Sequence, residues 1–255
     1  MFPVAHGWLL AQLTEEPTPA GYLGCVWPDM LFGSPLTHPQ SHKSGAELLA
    51  FARALPANAE REAFIAFTRG VITHGSEPRG FDWFSDEGYG DAGAHAKGYA
   101  FQRAAPLAAR AAVVCGVPEE MGLWKAHNLI EMAFERALYA ANIPAAQSLA
   151  AACANLELMA RMSELLARYF AHEPAALAES MRRYAEMVAL APTSLDALAE
   201  AYTHQTRYRH PGAEPDASAI AALIGEAETI IAADRDAYLS VCLAGVRSTL
   251  AAYDI

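Results

Sequence analysis

Apolar residues recur at helical intervals through most of this chain, and the places where that rhythm breaks divide it into elements. VAHGWLLAQL, residues 4–13, repeats every three or four positions before the Pro-rich TEEPTPAG, which predicts a helix with His6 in its first turn. From Gly21 to Gln40 the rhythm lapses at Gly24, Pro28, Gly33, Pro35 and Pro39, so a loop carrying the pair Pro28-Asp29 is expected. Ser41 then serves as a cap for SHKSGAELLAFARAL, with His42 in the first turn. A further helix, NAEREAFIAFTRGVITHG, runs to His74 before Gly75, Pro78 and Gly80 stop it.

The next stretch, SEPRGFDWFSDEGYGDAGAHAKG, is rich in Gly, Asp and aromatic residues, has no period, and reads as a long loop beside a site. A helix is predicted from Ala100 to Val117. Pro118-Glu119-Glu120 supplies the opening turn of another, which carries His127 and Glu131 and ends near Asn142. Beyond Pro144 come long Ala- and Leu-rich helices, broken near Glu173-Pro174, Pro192 and RHPGAEPDAS, residues 209–218.

Composition turns this run of helices into a fold class. The chain has 255 residues, 53% of them hydrophobic, enough to bury a full core. Ala and Leu carry much of that fraction and favour helices over strands, so an all-α protein is expected. A net charge of -11 argues against a surface that grips nucleic-acid phosphates, and no stable nucleic-acid binding is expected. The basic cluster THQTRYRH, residues 203–210, reads as a solvated helix end. Cys25, Cys115, Cys153 and Cys242 lie far apart with no Cys-x-x-Cys pair, which excludes a zinc ribbon or redox dithiol and leaves them as reduced core residues. The first residues lack the basic start of a secretory signal, and Arg103 and Arg110 interrupt the best apolar stretch; a soluble, cytoplasmic protein is expected.

Chemistry enters with the histidines. His6, His42, His74 and His127 all fall at or beside predicted helix ends, interleaved with Asp29, Asp82 and Glu131. Imidazole and carboxylate together suit zinc, iron or manganese, whereas calcium and magnesium prefer oxygen alone. His127 and Glu131 stand four apart on one helix face, with Cβ atoms about 6 Å apart, close enough to share an ion. His38 competes with His42, which is preferred because it begins a helix; His172, His204 and His210 read as structural. Neither an adjacent His-Asp pair, nor His-Glu-x-x-His, nor Gly-x-Ser-x-Gly, nor a phosphate loop occurs, which removes several rival hydrolase classes.

In the order of these motifs, over about residues 4–140, the chain resembles the zinc-dependent phospholipase C family, helical enzymes that share a fold with the P1-type nucleases. The order is His6, Pro28-Asp29, His42, FTRGVITH, an acidic residue, then AHNLIE. The resemblance implies a multi-helix bundle of the phospholipase C / P1 nuclease type, with residues 1–144 as a metal-binding core and 145–255 as extra C-terminal helices packed on it within the same domain. It implies that His6, Asp29, His42, His74, His127 and Glu131 are ligands of two or three divalent ions, zinc ahead of iron or manganese. Where the family has an Asp four residues after the ligand His, this chain has Pro78; Asp82 is taken instead, with Glu77 and Asp86 as alternatives and His95 as a further candidate. The implied activity is hydrolysis of a phosphodiester, small phosphoester or phospholipid by metal-activated water, which Asp29 orients or deprotonates. The alternative is a non-catalytic helical scaffold or interaction protein that keeps the fold.

Overall fold

The computed structural model describes residues 3–89, 97–188 and 194–255, and every regular element among them is helical. The first half contains α1 (Pro3–Leu13), α2 (Pro19–Gly24), α3 (His38–His42), α4 (Gly45–Ala54), α5 (Ala59–His74), α6 (Tyr99–Ala104), α7 (Ala108–Cys115) and α8 (Gly122–Ala141). The second contains α9 (Ile143–Ala154), α10 (Leu156–Phe170), α11 (Pro174–Met187), α12 (Leu195–Arg209), α13 (Ala217–Ile231) and α14 (Arg235–Ala252). The protein is all-α. Side-chain oxygens mark many of the starts: Thr18, Asn58, Asn142, Asn155, Ser194 and Asp216 each accept the N–H three residues on, satisfying a donor that has no partner within its helix.

α8 is buried along most of its length, with Leu129, Ile130, Met132 and Phe134 fully enclosed, and it packs on α1, α6, α7 and α13. Around it lies one apolar core, in which Tyr99, Phe134 and Tyr238 pack ring to ring. A second core joins α2 and α5 to α9, α10 and α11 through Leu23, Phe64, Phe67, Leu149, Leu166 and Met181. Both cores mix residues from before and after Pro144, so the later helices share the interior with the earlier ones. α1 and α5 stand between them: Leu9 and Ile72 belong to one core, Leu10 and Val71 to the other.

Several local expectations need correction. The loop expected from Gly21 to Gln40 contains the end of α2, a 3-10 turn at Trp27–Asp29 and the start of α3. Thr18 and Pro19 start α2 before the glycines can end it. His42 closes α3 rather than opening the next helix, because Thr37 and Gln40 form the cap and Pro39 sits in the first turn. Pro106 lacks an N–H and splits the helix predicted over Ala100–Val117, giving α6, the 3-10 turn Ala105–Leu107 and α7. The expected loop after Gly75 includes a π-helical turn, Trp83–Glu87. Residues 90–96, with His95, and the break at Pro192 lie outside the described residues. All four cysteines are free and buried, and among the described residues no helix is long and apolar enough to cross a membrane.

Candidate metal centre

Two small residues set the first half of the site. A Cβ on Gly24 would lie 2.0 Å from the Phe67 carbonyl oxygen, and one on Gly70 would lie 2.3 Å from that of Gly21, so α2 and α5 touch backbone to backbone. That approach sets the Cys25 carbonyl 2.8 Å from His74 Nδ1 at the end of α5. A carbonyl accepts only from an N–H, so neutral His74 carries its proton on Nδ1 and offers the Nε2 lone pair inward. His42 is held likewise: its Nδ1 is 3.2 Å from the His38 carbonyl and 2.8 Å from Ser41 Oγ.

Asp29, His42, His74 and Asp82 each direct one donor atom into a common space, all within 4.8 Å of one another. Nε2 of His74 is 3.0 Å from Asp82 Oδ2, and Nε2 of His42 is 3.4 Å from the same oxygen. Asp29 closes the set from the 3-10 turn, with Oδ1 3.5 Å from His42 Nε2 and Oδ2 3.9 Å from His74 Nε2. Nε2 of both histidines is buried and makes no hydrogen bond of good geometry, the condition that a metal ion would satisfy. His6 lies against this group rather than among its four close donors: its ring stacks on His74 at 3.7 Å and its Nε2 is 3.4 Å from Asp82 Oδ1.

A second set comprises Asp86, His127 and Glu131, again with donors within 4.8 Å of one another. His127 Nε2 is 2.7 Å from Asp86 Oδ1 and 3.3 Å from Glu131 Oε1. Phe101 and Trp124 stack on the His127 ring, and Ser85 Oγ donates to Glu131 Oε1 at 2.7 Å. Asp82 and Asp86 were alternatives for one position in the sequence; the structure uses both, one in each set, while Glu77 is exposed and in neither. His38 stacks on His42 at 3.6 Å without joining the set. His172, His204 and His210 also lie outside both.

Deeper still, Glu135 follows Glu131 by one turn of α8 and is fully buried. Its two oxygens accept from the N–H groups of Val4 and Ala5, each at 2.9 Å. This carboxyl group caps the opening turn of α1 and so fixes where His6 stands.

Burial opposes charge at every one of these groups, and the neighbours decide the outcome. At Asp29 and Asp82 the adjacent imidazoles of His74 and His42 overcome burial and hold both carboxyls below the usual range. His127 does the same for Glu131, whereas at Asp86 burial prevails and the carboxyl is raised. His42 is pushed down by burial but lifted to about 9 by Asp29 and Asp82, and His127 to about 10 by Glu131 and Asp86. Burial, with His74 beside it, keeps His6 well below its ordinary value, and burial with His42 brings His38 to about 4. Four buried or half-buried carboxylates thus draw positive charge into one place. Two divalent ions would balance them.

Six of the seven donor residues, all but His74, line a cavity of about 230 Å³. The second half of the chain adds Tyr184, Val188, Gln205 and Arg209 to its wall. Sequence reasoning missed this wall. Arg209 is exposed at the end of α12, as the reading of the basic cluster as a solvated helix end expects, and it also lines the cavity, with the buried Gln205 one turn earlier. Compared with known protein families, curated proteins and solved structures, the chain has no match.

Proposed function

We propose that this protein is a metal-dependent phosphoester hydrolase holding two divalent ions, zinc first among them, in a bundle of the phospholipase C / P1 nuclease type. One observation carries the reading: seven His, Asp and Glu side chains, brought together from several segments, converge as two donor sets, and six of them line one cavity. The imidazole and carboxylate mixture fits zinc, iron or manganese. Ions bound there would activate water and stabilise charge on phosphoryl oxygens. Asp29 faces the cavity with its side chain 30% exposed, and its carboxylate, kept ionised by His74 and His42, would orient a water at the ions. A small phosphoester, encountered in the cytoplasm, suits the cavity volume better than a two-chain lipid.

Mass spectrometry of the purified protein should detect about two ions per chain, and a panel of phosphomonoesters and diesters should include substrates. A metal-free protein inert to the whole panel overturns the reading in favour of a scaffold. The Ser85 hydroxyl supports the second set through Glu131, so Ser85→Ala should weaken ion binding there about 10- to 100-fold. Titration against a chromophoric chelator measures this, and an unchanged affinity would remove Ser85 from that role.

A further inference from the structure

Several arginines pair with a carboxylate, among them Arg103 with Asp234, Arg110 with Glu226, Arg136 with Glu228 and Arg183 with Glu179. Arg209 does not, and its place sets it apart from the other unpaired arginines. It ends α12 at the wall of the cavity, and among the described residues no carboxylate pairs with it. Its guanidinium carbon sits 4.9 Å from the centre of the Phe32 ring, and Phe32 is itself buried against Tyr184 and Tyr208. The stacking steadies the side chain while leaving its N–H donors unspent. One turn earlier Gln205, 7% exposed, lines the same wall, and its amide nitrogen makes only a long 3.4 Å bond to the Met187 carbonyl.

Charge balance gives this cation a purpose. With two divalent ions matched by Asp29, Asp82, Asp86 and Glu131, the base of the cavity is close to neutral, and Arg209 is the unbalanced charge facing it. We propose that Arg209 selects substrates bearing a second anionic group, a carboxylate or phosphate, on a short spacer from the phosphoryl group held at the metal sets. The inference rests on the hydrolase reading. The cavity, about 230 Å³, is below the roughly 300 Å³ at which sites for drug-sized ligands begin, and that keeps the spacer short. A guanidinium paired with a carboxylate gives a charge-assisted hydrogen bond, so the second anion should tighten binding about tenfold.

The test compares phenylphosphonate with 4-carboxyphenylphosphonate by calorimetry on metal-loaded protein. The carboxylated compound should bind about tenfold tighter, and Arg209→Gln should bring that ratio to about one. Arg207→Gln, exposed on the same helix and outside the cavity lining, should keep the ratio. No preference in the native protein, a preference that survives Arg209→Gln, or one that Arg207→Gln also abolishes overturns the proposal. Equal binding by a metal-loaded protein that hydrolyses phosphoesters refutes the role of Arg209 alone. Failure to hydrolyse any phosphoester refutes the hydrolase reading, while the phosphonate ratio still judges Arg209. If neither phosphonate binds, both fall.

Discussion

Replacing Asp82 with Ala is expected to remove about one of two ions and to lower kcat/KM for a phosphoester about a thousandfold. Asp82 is 4% exposed and stands within 3.4 Å of Nε2 on three imidazoles, those of His6, His42 and His74. Each of those rings is packed or hydrogen-bonded on its far side, so none can swing away to replace the lost donor. The substitution also removes one of the four negative charges that offset the ions, which weakens binding beyond the loss of a single contact. Asp82→Asn keeps the shape but supplies a neutral amide, and should retain the fold while losing most of the same ion and rate. Metal content and kcat/KM measured on both variants decide the matter, with circular dichroism reporting helix content. Two ions and native rates in Asp82→Asn would take Asp82 out of the site.

What the sequence disclosed depended on which physics acts locally. His6 could be placed by the apolar rhythm of α1, His74 by the glycine that ends its helix, and His127 and Glu131 because a four-residue step on a long helix fixes a shared face. His42 was assigned to the right set through the wrong helix, since the Thr37 and Gln40 cap competes with Ser41 and wins. Asp82 stands just before, and Asp86 within, a turn of π-helical geometry, with neither helical nor strand periodicity to reveal it, so two candidate donors looked like rivals for one place. Gly24 read as a breaker although α2 needs a residue without a Cβ there to meet α5. Arg209 escaped because its neighbours in the cavity, Asp29 and His127, lie far away in sequence, and only tertiary packing joins them.

Glu135 should show the largest effect on stability. Its carboxyl group caps Val4 and Ala5 in the interior, so Glu135→Ala leaves two buried N–H groups without acceptors and opens a cavity against α8. A cost of about 3–5 kcal/mol is expected in denaturant unfolding, with the start of α1 and His6 loosened. The pH dependence carries more information. Burial raises the folded-state pKa to about 8 from an ordinary 4.5, the two amide bonds opposing the shift without cancelling it. The folded protein therefore binds the extra proton between those values, and the contribution to stability is whole below 4.5 and lost as pH climbs to about 8. In chelator, with no ion near Glu131 to alter the balance, the stability of the native protein relative to Glu135→Gln should decline with rising pH. The slope should reach about 1.4 kcal/mol per pH unit at most, because one proton is involved. An advantage that grows with pH would mean that the amides of α1 hold Glu135 ionised in the folded state, and that the cap works as a charge on a helix end rather than as a buried acid.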